Sequence, residues 1–131
     1  MVGWGIDDQA IARLRLRAAL EKLTNIELII GPAEKALPCE GCADIVFFGI
    51  VLHDFDNPAA VLQNARKTLK PTGRLVDLDW QKIRMDFGPP VAKRFSPETA
   101  AQLIKSAGFK VLETRDSGRY FYLLIAAAAP A

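Results

Sequence analysis

Short apolar runs rich in branched residues alternate along the chain with longer stretches of helical period, a pattern that predicts βαβ units around a largely parallel sheet. Residues 1–6 predict a strand, after which Asp7 and Asp8 can cap a helix running to about Leu23. That helix carries two apolar stripes, Ile11, Leu14 and Ala18 on one side and Ala12, Leu16, Leu20 and Leu23 on another. It needs more cover than one sheet face supplies. Residues 26–30 and 43–51 are β-branched and continuously apolar, which suits strands covered on both faces. Asn57-Pro58 opens the next helix with a cap and a first-turn proline, and Val61, Leu62, Ala65 and Leu69 share one side of it. Lys70-Pro71-Thr72-Gly73 predicts a turn, residues 75–80 a strand, and Gly88-Pro89-Pro90 an irregular loop. Ser96-Pro97-Glu98 starts the last helix, with Ala100, Leu103, Ile104 and Ala107 as its buried stripe and Gly108 as its stop. Residues 109–114 and 120–126 predict two closing strands, joined by a loop short enough for an antiparallel hairpin.

Composition narrows the class without changing this picture. The 131 residues suit one domain, so residues 1–131 are read as a single unit. Half of them are hydrophobic and 24% are charged, which separates the chain from disordered and collagen-like sequences. A net charge of +2 is too small and too scattered to select nucleic acid, and Arg13, Arg15 and Arg17 spread around their helix. No apolar run reaches the ~18 residues of a membrane span, and the N-terminus lacks the basic-then-apolar order of a secretory signal, so a cytoplasmic protein is expected. Cys39-Glu40-Gly41-Cys42 supplies two thiols, which cannot complete a four-ligand zinc site, and a strand follows where a redox motif would open a helix. Free loop cysteines and no metal are the expectation.

Several segments resemble the class I S-adenosylmethionine-dependent methyltransferases, in the group of the type 11 and ubiquinone or menaquinone biosynthesis enzymes. Gly5-Ile6-Asp7 followed by Ala10-Ile11-Ala12-Arg13-Leu14 is similar to that family's second strand and its helix. The run from Asn25 through Gly31-Pro32-Ala33-Glu34 is similar to its third strand and adenine loop. Ala43-Asp44-Ile45-Val46-Phe47, with Val51-Leu52-His53-Asp54, is similar to its fourth strand and exit. Leu69-Lys70-Pro71-Thr72-Gly73-Arg74-Leu75 and Phe95-Ser96-Pro97-Glu98 complete the order. The resemblance implies a Rossmann-like sheet, mostly parallel, with a C-terminal antiparallel hairpin.

It also implies an S-adenosylmethionine site at Ile6, Asp7, Pro32, Ala33, Gly49 and His53. An acid at a strand's carboxyl end, here Asp7, is placed to accept from both ribose hydroxyls, although such a residue also caps helices routinely. Pro32 stands where the family usually presents an aspartate to the adenine amino group, so Glu34 or backbone groups would have to replace it. Gly49 would let a ligand approach the backbone, and His53, the only histidine, is the candidate general base, with a packed or capping residue as the plainer reading.

The Gly-rich turn of such folds precedes the ribose acid by roughly 20 residues, whereas Asp7 has six residues ahead of it. Gly3-Trp4-Gly5 leads straight into Asp7 and cannot serve. The expected fold therefore lacks the first strand and that turn, and the gap falls in mid-sheet. Open strand edges are seldom left uncovered, so a homo-oligomer or a partner chain is expected to close it. The functional expectation is methyl transfer to a small-molecule acceptor with impaired cofactor binding; the alternatives are a non-catalytic partner-binding remnant and a truncated fragment.

Overall fold

The computed structural model describes residues 2–5, 7–24, 27–30, 32–35 and 39–130. Along them run β1 (Val2–Gly5), α1 (Asp8–Leu20), β2 (Glu27–Ile30), β3 (Ala43–Gly49), α2 (Pro58–Thr68), β4 (Leu69–Trp80), α3 (Pro97–Ser106), β5 (Phe109–Ser117) and β6 (Phe121–Ala128), with short 3-10 turns at Leu52–Asp54 and Val91–Lys93. Each helix starts where its capping residue predicts. Asp7 Oδ1 accepts from the Gln9 and Ala10 amides, Asn57 Oδ1 from Ala60 and Ser96 Oγ from Thr99, all at 3.0–3.1 Å. Each cap satisfies amides that the helix leaves unpaired and stabilises it by about 1 kcal/mol.

β1 pairs in parallel with β2, and β3 in parallel with β4; β4 then pairs antiparallel with β6, and β6 with β5. The sheets run β1-β2 and β3-β4-β6-β5. Among the described residues β1 pairs only with β2 and β3 only with β4, so no strand stands between them. This is the α/β sheet expected from the sequence, with its antiparallel hairpin at the end and without a strand in the middle.

Three local expectations need correction. The turn expected at Lys70-Pro71-Thr72-Gly73 lies inside β4, where the pairing jumps from Ala43↔Leu69 to Ile45↔Arg74. The extra residues bulge out, which accommodates a proline that cannot donate to the ladder. Gly73 is needed there because a Cβ would meet Leu69 Cδ2 at 2.8 Å and two backbone carbonyls at 3.0 Å. α1 ends at Leu20 because Lys22 turns left-handed (φ 56°), letting the Leu23 amide reach back to the Ala18 carbonyl at 2.8 Å. Finally, Cys39 and Cys42 are joined as a disulfide instead of standing free. Gly41 closes their turn at φ +55°, and the Gly41 and Cys42 amides dock it onto the last carbonyls of α2.

The core is one-sided. α2 and α3 lay Val61, Leu62, Ala65, Ala100 and Ile104 on the face of the larger sheet formed by Phe48, Leu75, Phe109, Tyr122, Leu124 and Ala126. On β3's other face Ile45 and Phe47 remain 62% and 57% exposed. α1 buries Ile11 and Ala18, while Leu16, Leu20 and Leu23 face outward, so the second stripe read in its sequence has no cover among the described residues. No described helix is long and apolar enough to cross a membrane.

Candidate functional site

Ligands of open α/β sheets gather beyond the carboxyl ends of parallel strands, and there β3 ends in an unusual way. Ile50 sits in the left-handed region at φ 61°, a conformation a β-branched side chain resists at a cost of about 1–3 kcal/mol. Its amide still bonds the Leu78 carbonyl at 2.7 Å, so the chain stays tied to β4 while it turns. The turn drives Leu52 into the core and carries His53 inward after it.

There His53 meets a carboxylate. Its Nδ1 lies 2.9 Å from Asp79 Oδ2 on β4, with the two side chains only 3% and 2% exposed. The other oxygen of Asp79 accepts from the Trp80 amide at 2.8 Å. On the opposite side of the ring, Nε2 lies 3.3 Å from Oδ1 of the exposed Asp54. The imidazole is thus flanked by a carboxylate at each ring nitrogen, a buried one at Nδ1 and an exposed one at Nε2.

Asp79 has an acidic neighbour on the same strand face. Strand periodicity places Asp77 two residues back, fully buried, with neither carboxylate oxygen hydrogen-bonded. Burial first, and then the nearby Asp79, push its pKa from 3.8 up to about 7. The protonated form is favoured because a buried, unpaired carboxylate loses its hydration without compensation. Tyr122, opposite Asp79 across β6, is buried with an unpaired hydroxyl. Burial and the acids Asp77, Asp79 and Glu98 drive its pKa further up, so it stays a neutral phenol. The sequence reading placed this strand and passed over its acids, although Asp77-Leu78-Asp79 has the period that aims two carboxyls at one face.

Beyond β4 the loop from Gln81 to Arg94 folds back against Trp80 at the end of that strand. Arg94 is buried and donates to the carbonyls of Gln81, Ile83, Phe87 and Pro89 at 2.8–3.3 Å. One guanidinium therefore fixes the loop's backbone, and its carbon lies 5.4 Å above the Trp80 ring. Phe87, Tyr120 and Phe121 complete an aromatic cluster with Trp80. Nothing in the local sequence marked Arg94 for this task.

The residues expected from the sequence lie at the same ends but do not form one cluster. Asp7 is an exposed N-cap, and both cap bonds converge on a single carboxylate oxygen. Ile6 lies outside the described residues. After β2, the carbonyl of Pro32 accepts from the Lys35 amide at 3.2 Å and that of Ala33 from Asn64 Nδ2 at 2.8 Å, so both carbonyls already have donors. Gly49 is covered by its neighbour: a Cβ there would stand 2.8 Å from Phe47 Cε1. The His53 side chain is buried and paired with Asp79, an acid not among the residues expected from the sequence. No group of three or more His, Cys, Asp or Glu among the described residues could hold a metal ion.

Comparison with known proteins bears on the family and the fold. A sequence model of the methyltransferase domain matches residues 1–113. No curated protein matches the chain. An S-adenosylmethionine-dependent methyltransferase of Aquifex aeolicus shares the fold at a TM-score of 0.91 and 22% identity, over 98% of this chain and 68% of that one. A protein of Sulfolobus solfataricus assigned to the type 11 methyltransferases gives 0.75 at 20% identity, over 99% and 83% of the two chains. The [4+2]-cyclase SpnF gives 0.83 at 16% identity, over 99% and 67%. The likeness to these structures is one of fold, and that fold serves more than one chemistry.

Proposed function

The chain belongs to the methyltransferase domain family, and from that premise we propose that it takes S-adenosylmethionine as methyl donor and a small molecule as acceptor, with His53 as the acid–base group beside the acceptor. The observation that carries this reading is the pairing of His53 with Asp79 where β3 and β4 end. S-adenosylmethionine supplies, when bound, a methyl group on a sulfonium sulfur that leaves as a neutral thioether. The chain's own part is binding, orientation and the proton.

Asp7 is the group for the ribose hydroxyls, since an exposed carboxylate can accept from two neighbouring donors while one of its oxygens caps α1. The adenine loop offers less. With Pro32 in place of an acid and the Pro32 and Ala33 carbonyls already engaged, Glu34 is the remaining acceptor for the adenine amino group. Weakened binding follows. The His53 side chain is itself withdrawn from water, and positioning in a dry site carries much of the rate of a bimolecular transfer.

Calorimetry with S-adenosylmethionine and S-adenosylhomocysteine tests this. Sub-millimolar binding is expected, and Asp7→Ser, which keeps a cap but loses the second oxygen, should weaken it about tenfold or more. No binding at millimolar ligand would overturn the enzyme reading in favour of a non-catalytic, partner-binding chain. The edges of β1 and β3 that no described strand pairs, with exposed Ile45 and Phe47, support that second reading and also support self-association. We infer that a second copy covers the β3 edge. Sedimentation at micromolar concentration should then show a dimer that Phe47→Glu dissociates, and a stable wild-type monomer would sink the idea.

A further inference from the structure

We propose that Asp79 is a positioning residue that holds His53 with its proton on Nδ1, so that Nε2 faces the acceptor as a bare proton-accepting atom. This rests on the reading of His53 as the acid–base group.

The argument starts from what Asp79 touches. Its Oδ1 accepts from the Trp80 amide at 2.8 Å and its Oδ2 faces His53 Nδ1 at 2.9 Å, so both oxygens are directed by fixed partners. The side chain is 2% exposed, and a buried carboxylate is tolerated only where donors meet it. Asp77, on the same strand face, has no donor among the described residues. Burial favours the protonated form of Asp77, so the donors at this strand end are directed at Asp79 alone. With Oδ1 accepting from the Trp80 amide and Oδ2 facing Nδ1, Asp79 is placed as an acceptor, which puts the proton of a neutral His53 on Nδ1. Nε2 is left with its lone pair.

The outer carboxylate fits the second half of a proton cycle. Asp54 Oδ1, 3.3 Å from Nε2, has a bonding partner there once Nε2 carries a proton, and its exposed side chain can turn away before that. As the acceptor atom bonds the methyl carbon, the bond from sulfur to that carbon breaks and sulfur keeps the electron pair. The acceptor's proton passes to Nε2, Asp79 stabilises the imidazolium, and Asp54 leads the proton to solvent. The acceptor class follows: a hydroxyl or an N–H, whose proton must go somewhere, rather than an atom that attacks without losing one.

His53 is the chain's only histidine, so its ring nitrogens can be read without assignment in protein labelled with 15N-histidine. In the wild type at pH 8, Nδ1 should give a pyrrole-like signal and Nε2 a pyridine-like one. Asp79→Asn should reverse them. The Trp80 amide demands an acceptor, which turns the new carbonyl toward it and the NH2 group toward Nδ1, forcing the proton onto Nε2. The same exchange in a Ser-His-Asp triad preserves the geometry and selects the wrong tautomer. A proton already on Nε2 in the wild type, or an Asp79→Asn spectrum unchanged from it, would overturn the positioning role. The wild-type spectrum decides this even if the variant does not fold. The calorimetric titration is independent of it: loss of S-adenosylmethionine binding with the expected tautomer defeats the functional reading alone.

Discussion

Exchanging Asp77 for asparagine should make the protein more stable at neutral pH and remove a fall in stability that the wild type shows between about pH 4 and pH 7. The native pKa, about 7, lies above the ordinary 3.8, so the folded protein holds a proton that the unfolded chain releases earlier. Stability from this group is fully present below the unfolded value, declines as pH rises, and is flat again above the folded value. The span corresponds to at most on the order of 4 kcal/mol, a large share of the 5–15 kcal/mol typical of a domain. Chemical denaturation of both proteins from pH 4 to pH 8 checks it through their difference, which cancels other carboxylates. Equal stability at pH 4 and a gap widening toward pH 8 is the expected outcome; a constant gap would show that the charge of Asp77 has no part in it.

The second large effect concerns two leucines that look alike in the sequence. Leu62→Ala on α2 should cost about 2–5 kcal/mol, because Leu62 is fully buried against the larger sheet and its truncation leaves a cavity. Leu20→Ala on α1, at a residue 74% exposed, should fall within about 0.5 kcal/mol in the isolated chain. Both are measured by denaturant unfolding at low protein concentration. A marked loss for Leu20→Ala only at high concentration would locate the cover of α1 in a second copy.

Those two residues show how far the sequence could be read. The stripe of Val61, Leu62 and Ala65 predicted a buried face correctly because a helix with one apolar side has one place to put it. The two stripes of α1 left the outcome open, and only the packed structure assigns Ile11 and Ala18 to the interior. The caps at Asp7, Asn57 and Ser96 were legible because the interaction spans two or three residues. The bulge around Pro71 was not, since it depends on which residues of β3 lie alongside.

The same boundary divides the site. Asp7, Pro32, Ala33, Gly49 and His53 could be put forward as candidates because each ends or follows a strand and strand ends can be read locally. The partner of His53 lies 26 residues away on the neighbouring strand, and no spacing rule joins the two. Arg94 reaches back 5 to 13 residues to carbonyls whose positions depend on the whole loop.

What the chain's own letters determined was therefore whatever acts over one turn or one pleat: the order of strands and helices, their caps, the buried face of a helix with a single apolar stripe, and the family likeness. Tertiary structure alone decided which side chains meet. Burial depends on everything packed around a residue, so the pairing of His53 with Asp79, the proton held by Asp77 and the left-handed Ile50 come into being only when β3, β4 and β6 lie side by side.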